Sequence, residues 1–217
     1  IVLFFKLVRF YKMTTDQEIF WKGEFGNKYI ARNCSKELIA SNTSFFSRIL
    51  NSIDSDISSV MEFGCNIGAN LIALKSLLPN SKLTGVEINS SAVSTAKEWG
   101  GAEIIEDSIL DVKLEQLYDL TFSKVVLIHI NPDSLSDVYK RLYDYSNKYI
   151  LIAEYYNPTP VSINYRGHED RLFKRDFCGE LMGLYSDLKL VDYGFVYHND
   201  SVFPQDDISW FLMKKCI

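Results

Sequence analysis

With 217 residues and 47% hydrophobic content, the chain is long enough to bury a core as one domain without metal or disulfide staples. Its 23 Lys and Arg against 28 Asp and Glu leave a formal charge of -5, so no global positive field exists to hold a phosphate backbone and nucleic acid is not an expected partner. Four cysteines, Cys34, Cys65, Cys178 and Cys216, show no C-x-x-C spacing, which argues against a zinc site or a disulfide framework and fits reduced thiols in a cytoplasm.

The opening IVLFFKLVRFYK is apolar and basic but shorter than the roughly 20 residues of a membrane span, and no small-residue cleavage site follows it. Stable membrane insertion is therefore not expected. Residues 1–13 read as an upstream or disordered segment, with Met13 as the natural start, and residues 14–217 as a single domain. TTDQE reads as a helix cap with acidic first-turn charge, opening a helical lid over residues 14–43. Phe45, Phe46, Ile49, Leu50 and Ile53 fall at helical spacing over residues 44–53.

SSVMEFG is a short apolar run stopped by Gly64, and residues 69–78 have helical periodicity before Pro79. KLTGVEIN reads as a second strand, SSAVSTAKEW as a helix and AEIIEDS as a third strand. Residues 124–130 read as a buried strand, 134–145 as a helix and 148–155 as another strand. This alternation predicts parallel βαβ units in a doubly wound sheet. YNPTPVSINYRGHEDRLFKRDF then reads as a long functional loop, and residues 188–198 and 208–214 as a closing antiparallel pair. The expected fold is Rossmann-like α/β: a mostly parallel seven-stranded sheet, helices on both faces, and an antiparallel C-terminal strand pair.

Gly64-Cys65-Asn66-Ile67-Gly68 sits where the first strand meets the first helix of the sheet, a place where bare backbone and unpaired amides can meet a ligand. The second strand ends in Glu87-Ile88, whose carboxylate suits two ribose hydroxyls. A pyrophosphate fingerprint wants glycine in the middle of that turn, and Asn66 stands there, so a nicotinamide dinucleotide is disfavoured. Glu62 places negative charge near a ligand that carries an ammonium and a sulfonium, which describes S-adenosylmethionine. Asp107, Ser108 and Ile109 would then border its adenine.

These motifs resemble class I methyltransferases. The longer blocks TDQEIFWKGEFGNKYIARN, EFGCNIGANLIAL, VLIHINPDSL, AEYYNPTPVSINYRGHEDRLFKRDFCGELM and LVDYGFVYHNDSVFPQDDISWFLMKK are similar to the pseudaminic acid biosynthesis-associated methylases. The resemblance spans residues 14–215. It implies S-adenosylmethionine as methyl donor and a role in nonulosonic acid or surface-glycan biosynthesis, with a catalytically silent cofactor-binding or assembly module of the same pathway as the alternative. Trp21 and Arg32, in the lead-in helices, would close over the cofactor.

Residues at the carboxyl ends of the later strands should border the acceptor. His129 is the natural general base, because its ordinary pKa is near neutrality, and His168 is a second candidate. Tyr155, Tyr156, Asn157 and Tyr165 are candidate acceptor contacts, and Arg166 and Arg175 could grip a carboxylate or phosphate in fork geometry. The expected partner is thus a small-molecule or glycan acceptor, anionic in character. No metal site is expected.

Overall fold

The computed structural model describes residues 14–30 and 35–216, so the expectations for residues 1–13, Arg32 and Cys34 lie outside the described residues. Thr15 starts α1 (Asp16–Lys22): its hydroxyl accepts from the Glu18 amide at 3.2 Å while the Glu18 carboxylate accepts from the Thr15 amide at 2.7 Å, a reciprocal cap. After Gly23 comes α2 (Glu24–Ile30). Ser35 caps α3 (Lys36–Leu50), which begins well before the predicted residues 44–53. The apolar stripe understated it, because Ser41 and Asn42 are buried on the same face as Phe45, Phe46 and Ile49.

The sheet is assembled from β1 (Ser59–Phe63), β2 (Lys82–Glu87), β3 (Glu103–Glu106), β4 (Tyr118–Lys124) and β5 (Ser146–Glu154), then β8 (Leu188–Val196) and β9 (Ile208–Lys215). Its order is β3-β2-β1-β4-β5-β9-β8. The first five strands are parallel, while β9 runs antiparallel to both β5 and β8, as the sequence led us to expect. Between them run α4 (Ala69–Leu77), α5 (Ser90–Trp99), α6 (Leu135–Asp144) and α7 (Phe177–Leu184).

Two cores lie on opposite faces of the sheet. Along β5, Tyr149, Leu151 and Ala153 join the core with Phe45, Phe46 and Trp210, while Ile150 and Ile152 join the core with Leu142 and Leu181. Burial on both faces is why β5 reads as a continuous apolar run rather than an alternating one.

Two expectations require correction. Residues 124–130 are not a strand: β4 ends at Lys124, Val125 takes φ +58, and residues 127–129 form a 3₁₀ turn. The apolar VVLIHI is buried at a turn, because the Glu154 carboxylate receives the amides of Val126 and Leu127, each at 3.0 Å, in place of a strand neighbour. The stretch after β5 is not an unstructured loop either. It forms a hairpin of β6 (Val161–Tyr165) and β7 (His168–Lys174), joined by Arg166 and Gly167 at φ +52 and +88. Residues 161–164 and 168–170 are exposed, so no apolar alternation marked the strands.

Candidate active site

The chain reverses its spread across the sheet at β1, which is flanked by β2 on one side and β4 on the other. A crevice at the carboxyl ends of the strands follows from that topology. The turn leaving β1 is built to fit it. Gly64 has φ +80, and a Cβ there would stand 2.6 Å from Val126 Cγ2, so both the backbone angle and the approach of the segment after β4 demand glycine. Gly68, at φ +82, begins α4 with no side-chain cap.

The turn is strapped to β2. Gly64 and Cys65 donate their amides to the Val86 carbonyl at 2.8 and 3.0 Å, and the Asn66 amide donates to Glu87 Oε2 at 2.8 Å. The other oxygen, Oε1, accepts from the Asn89 amide at 2.8 Å. Asn89 caps α5 through its side-chain oxygen, and its Nδ2 donates to the Trp21 carbonyl and to Asn27 Oδ1 at 3.0 and 2.9 Å. The N-terminal helices are thereby tied to the strand end that carries Glu87.

Above the strand ends is a cavity of about 630 Å³. Gly64, Asn66, Glu87, Ile88, Ser108 and Ile109 form one wall. Trp21, His129 and Arg166 contribute to the remainder. Ser108 donates its hydroxyl to Glu18 Oε1, and Arg141 of α6 holds the following loop by donating to the carbonyls of Leu110 and Val112. Gln17 donates its Nε2 to the Asp170 carbonyl at 3.0 Å, leaving Oε1 buried without a partner, and Trp21 Nε1 is likewise buried and unpaired. Unpaired groups in a cavity wall are the mark of a site shaped for a ligand.

Other predicted residues lie outside the wall. Glu62 is fully buried beneath the turn, where Asn70 Nδ2 donates to it at 2.6 Å while Oε2 has no partner. Burial pushes its carboxyl up to about 8, with Asn70 and Lys124 opposing the shift, so it is not the simple fixed negative charge expected from sequence. Asp107 is half-buried and accepts the Ser108 amide at 2.8 Å. Tyr165 tilts over His129 with ring centroids 4.9 Å apart, and His168 is exposed, packed edge-on against Phe20 at 5.0 Å. Tyr155 is half-buried, and Tyr156 rests on Phe211. Asn157 closes a local turn with Thr159.

Arg175 corrects the idea of a cationic fork. Its Nε donates to Glu180 Oε1 at 2.6 Å, and it does not share the cavity with Arg166. The base expectation for His129 also changes. Its Nδ1 lies 2.6 Å from the Arg171 carbonyl, which makes Nδ1 the protonated nitrogen, and burial pushes its pKa down to about 4.

Lys124, Asn89, Gln17 and the Gln205-Asp206 pair escaped the sequence reading, although all border the cavity. Asn89 had a signal, as an Asn directly before a helical run is a good cap. Lys124 was hidden by the misplaced strand, in which it stood as the first residue. Burial pushes its ammonium down to about 8, against the attraction of Glu62, Asp206 and Glu154.

S-adenosylmethionine fits these residues. Glu87 would have lone pairs for ribose hydroxyls beside its two amide contacts, and Ser108 and Ile109 would border the adenine. The glycine turn admits the chain that links them. Comparison with known proteins agrees. Residues 60–148 match the family model described as a methyltransferase domain. No curated protein matches the chain.

Among solved structures, the plantazolicin methyltransferase BpumL in complex with SAH is similar with a TM-score of 0.66 at 14% identity, over 93% of this chain and 94% of that one. The magnesium protoporphyrin IX methyltransferase of Synechocystis with bound SAM has a TM-score of 0.66 at 11% identity, over 93% and 98%. The 1,6-didemethyltoxoflavin-N1-methyltransferase of Burkholderia thailandensis has a TM-score of 0.66 at 12% identity, over 88% and 84%. At such identities the likeness is one of fold. The matched domain, set on this fold and around this cradle, makes the chain an S-adenosylmethionine-dependent methyltransferase.

Proposed function

We propose that the acceptor is a sugar or sugar-like, carboxylate-bearing intermediate of nonulosonic (pseudaminic) acid or surface-glycan biosynthesis. The supporting observation is that Asn131, Asp206 and Arg166 all border the cavity. A carboxylate and an amide accept from and donate to neighbouring hydroxyls, and a guanidinium pairs with a carboxylate. The extended sequence blocks that resemble the pseudaminic acid-associated methylases point the same way. The fold itself does not choose the acceptor, since its structural neighbours are named for a peptide product, a porphyrin and a toxoflavin precursor.

Bound in the cradle, S-adenosylmethionine supplies an electrophilic methyl group. The protein's part is to align the acceptor and exclude water. Trp21 and His129 border the cavity with their rings tilted against each other at 4.6 Å between centroids, and Tyr165 packs against both from behind. With Nδ1 committed to Arg171, neutral His129 has its other nitrogen free to accept from an acceptor hydroxyl and orient it.

Calorimetry on the purified chain should detect S-adenosylmethionine binding. S-adenosylhomocysteine release is then measured against nucleotide-sugars, nonulosonic acids, neutral sugars and glycopeptides. Turnover is expected with acidic sugars, and Arg166→Ala should raise their KM by about 10-fold or more while leaving cofactor affinity unchanged. Cofactor binding with no turnover on any of these would replace this reading with that of a silent module.

A further inference from the structure

Lys124 closes β4 where the chain leaves the sheet. The next residue, Val125, is β-branched yet takes φ +58, a strained angle that persists only where its surroundings impose it. Glu154 does so, accepting the Ser123 hydroxyl at 2.9 Å and the Val126 and Leu127 amides at 3.0 Å. The backbone that carries Lys124 is therefore held on both sides, and its side chain borders the same cavity as Gly64 and Asn66.

The surroundings of Nζ suit an amine better than an ammonium. Asn42 Oδ1, at 3.2 Å, is the one hydrogen-bond acceptor for it among the described residues, and the face of the Phe45 ring, 5.6 Å from Nζ, attracts the charged form without accepting a hydrogen bond of ordinary strength. An ammonium has three protons to place. Among the described residues no carboxylate comes within ion-pair distance of it. The charged groups facing it are Glu62 from β1, Glu154 from β5 and Asp206 from the segment before β9, and burial outweighs their attraction. His129 also borders the cavity, and its much lower pKa makes it a weak proton acceptor.

We propose that Lys124 is the catalytic base, its neutral amine taking the proton of the acceptor hydroxyl. The inference rests on the reading that the acceptor is a sugar-like hydroxyl compound. As the oxygen lone pair forms the O–C bond, the C–S bond of the sulfonium donor breaks and sulfur keeps its electron pair as a neutral thioether. The O–H pair stays on oxygen, and the proton ends on Nζ as an ammonium.

The test begins with the full chain carrying ¹³C-labelled lysine, followed by NMR from pH 6 to 11. The Cε signal missing from Lys124→Arg identifies Lys124, and its midpoint should fall near pH 8, whereas an ordinary lysine titrates at about 10.4. A midpoint above 10 overturns the proposal. In Lys124→Met, S-adenosylmethionine affinity by calorimetry should stay within about 3-fold of the parent. Turnover of a sugar acceptor should fall by roughly 100-fold or more, and the limb of the pH profile near 8 should vanish. Retained turnover overturns the proposal, as does a loss confined to cofactor binding. Should no sugar turn over, the acceptor reading fails, and the measured midpoint still decides the state of Lys124.

Discussion

The carboxylate of Glu87 accepts the amide of Asn66 at 2.8 Å, so the acid that ends β2 also holds the turn that ends β1. Its second oxygen holds the Asn89 amide at the same distance. The geometry of both loops thus depends on the side chain that would also meet the ribose. Glu87→Ala should lower S-adenosylmethionine affinity by about 100-fold, the worth of charge-assisted hydrogen bonds to a ribose. Glu87→Gln should fall between the two, since its amide nitrogen would face an N–H donor. Calorimetry measures both, and near-parent affinity in Glu87→Ala would exclude a ribose contact.

Glu154 is 2% exposed and carries the turn after β4, through bonds from Ser123, Val126 and Leu127. Burial pushes its carboxyl up to about 7, and the amides of Val126, Leu127 and Ile128 and the Ser123 hydroxyl resist that shift. Glu154→Ala strands those donors in the core and should cost about 3 kcal/mol, lowering Tm by roughly 10 °C. Glu154→Gln preserves an acceptor oxygen and should lose less than half as much. Thermal denaturation followed by circular dichroism separates the two variants.

His129 makes stability depend on pH. Burial holds its folded-state pKa at about 4, below the ordinary value of 6.5. The unfolded chain therefore takes up a proton at a pH where the folded chain does not. The contribution is fully present above pH 6.5 and is lost as pH falls toward 4, by about 3 kcal/mol in all. Urea denaturation at pH 7 and pH 5 should show parent and His129→Asn converging in the acid, because the variant lacks this penalty. An unchanged gap between them would place the imidazole in contact with solvent.

The strands and helices from β1 to α5 were legible in the sequence because their signals are local: an apolar run, a glycine turn, an acid at a strand end, a cap before a helix. The same local logic located the antiparallel pair β8 and β9. It failed at β4, where the apolar VVLIHI looks like a strand until Glu154, distant in the chain, supplies the hydrogen bonds that let it turn. It failed again at the β6–β7 hairpin, whose exposed faces leave no apolar period to read.

What the residues determined alone was the class of fold and the glycine turn that places Gly64 and Asn66 beside the end of the second strand, since neighbours in sequence govern turns and periodicity. Only the tertiary structure decided which side chains meet and how they titrate. Arg175 is committed to Glu180, His129 to the Arg171 carbonyl, and Lys124 is enclosed among carboxylates from three separate segments. Desolvation and pairing depend on the surroundings in space, and folding supplies those surroundings from remote parts of the chain.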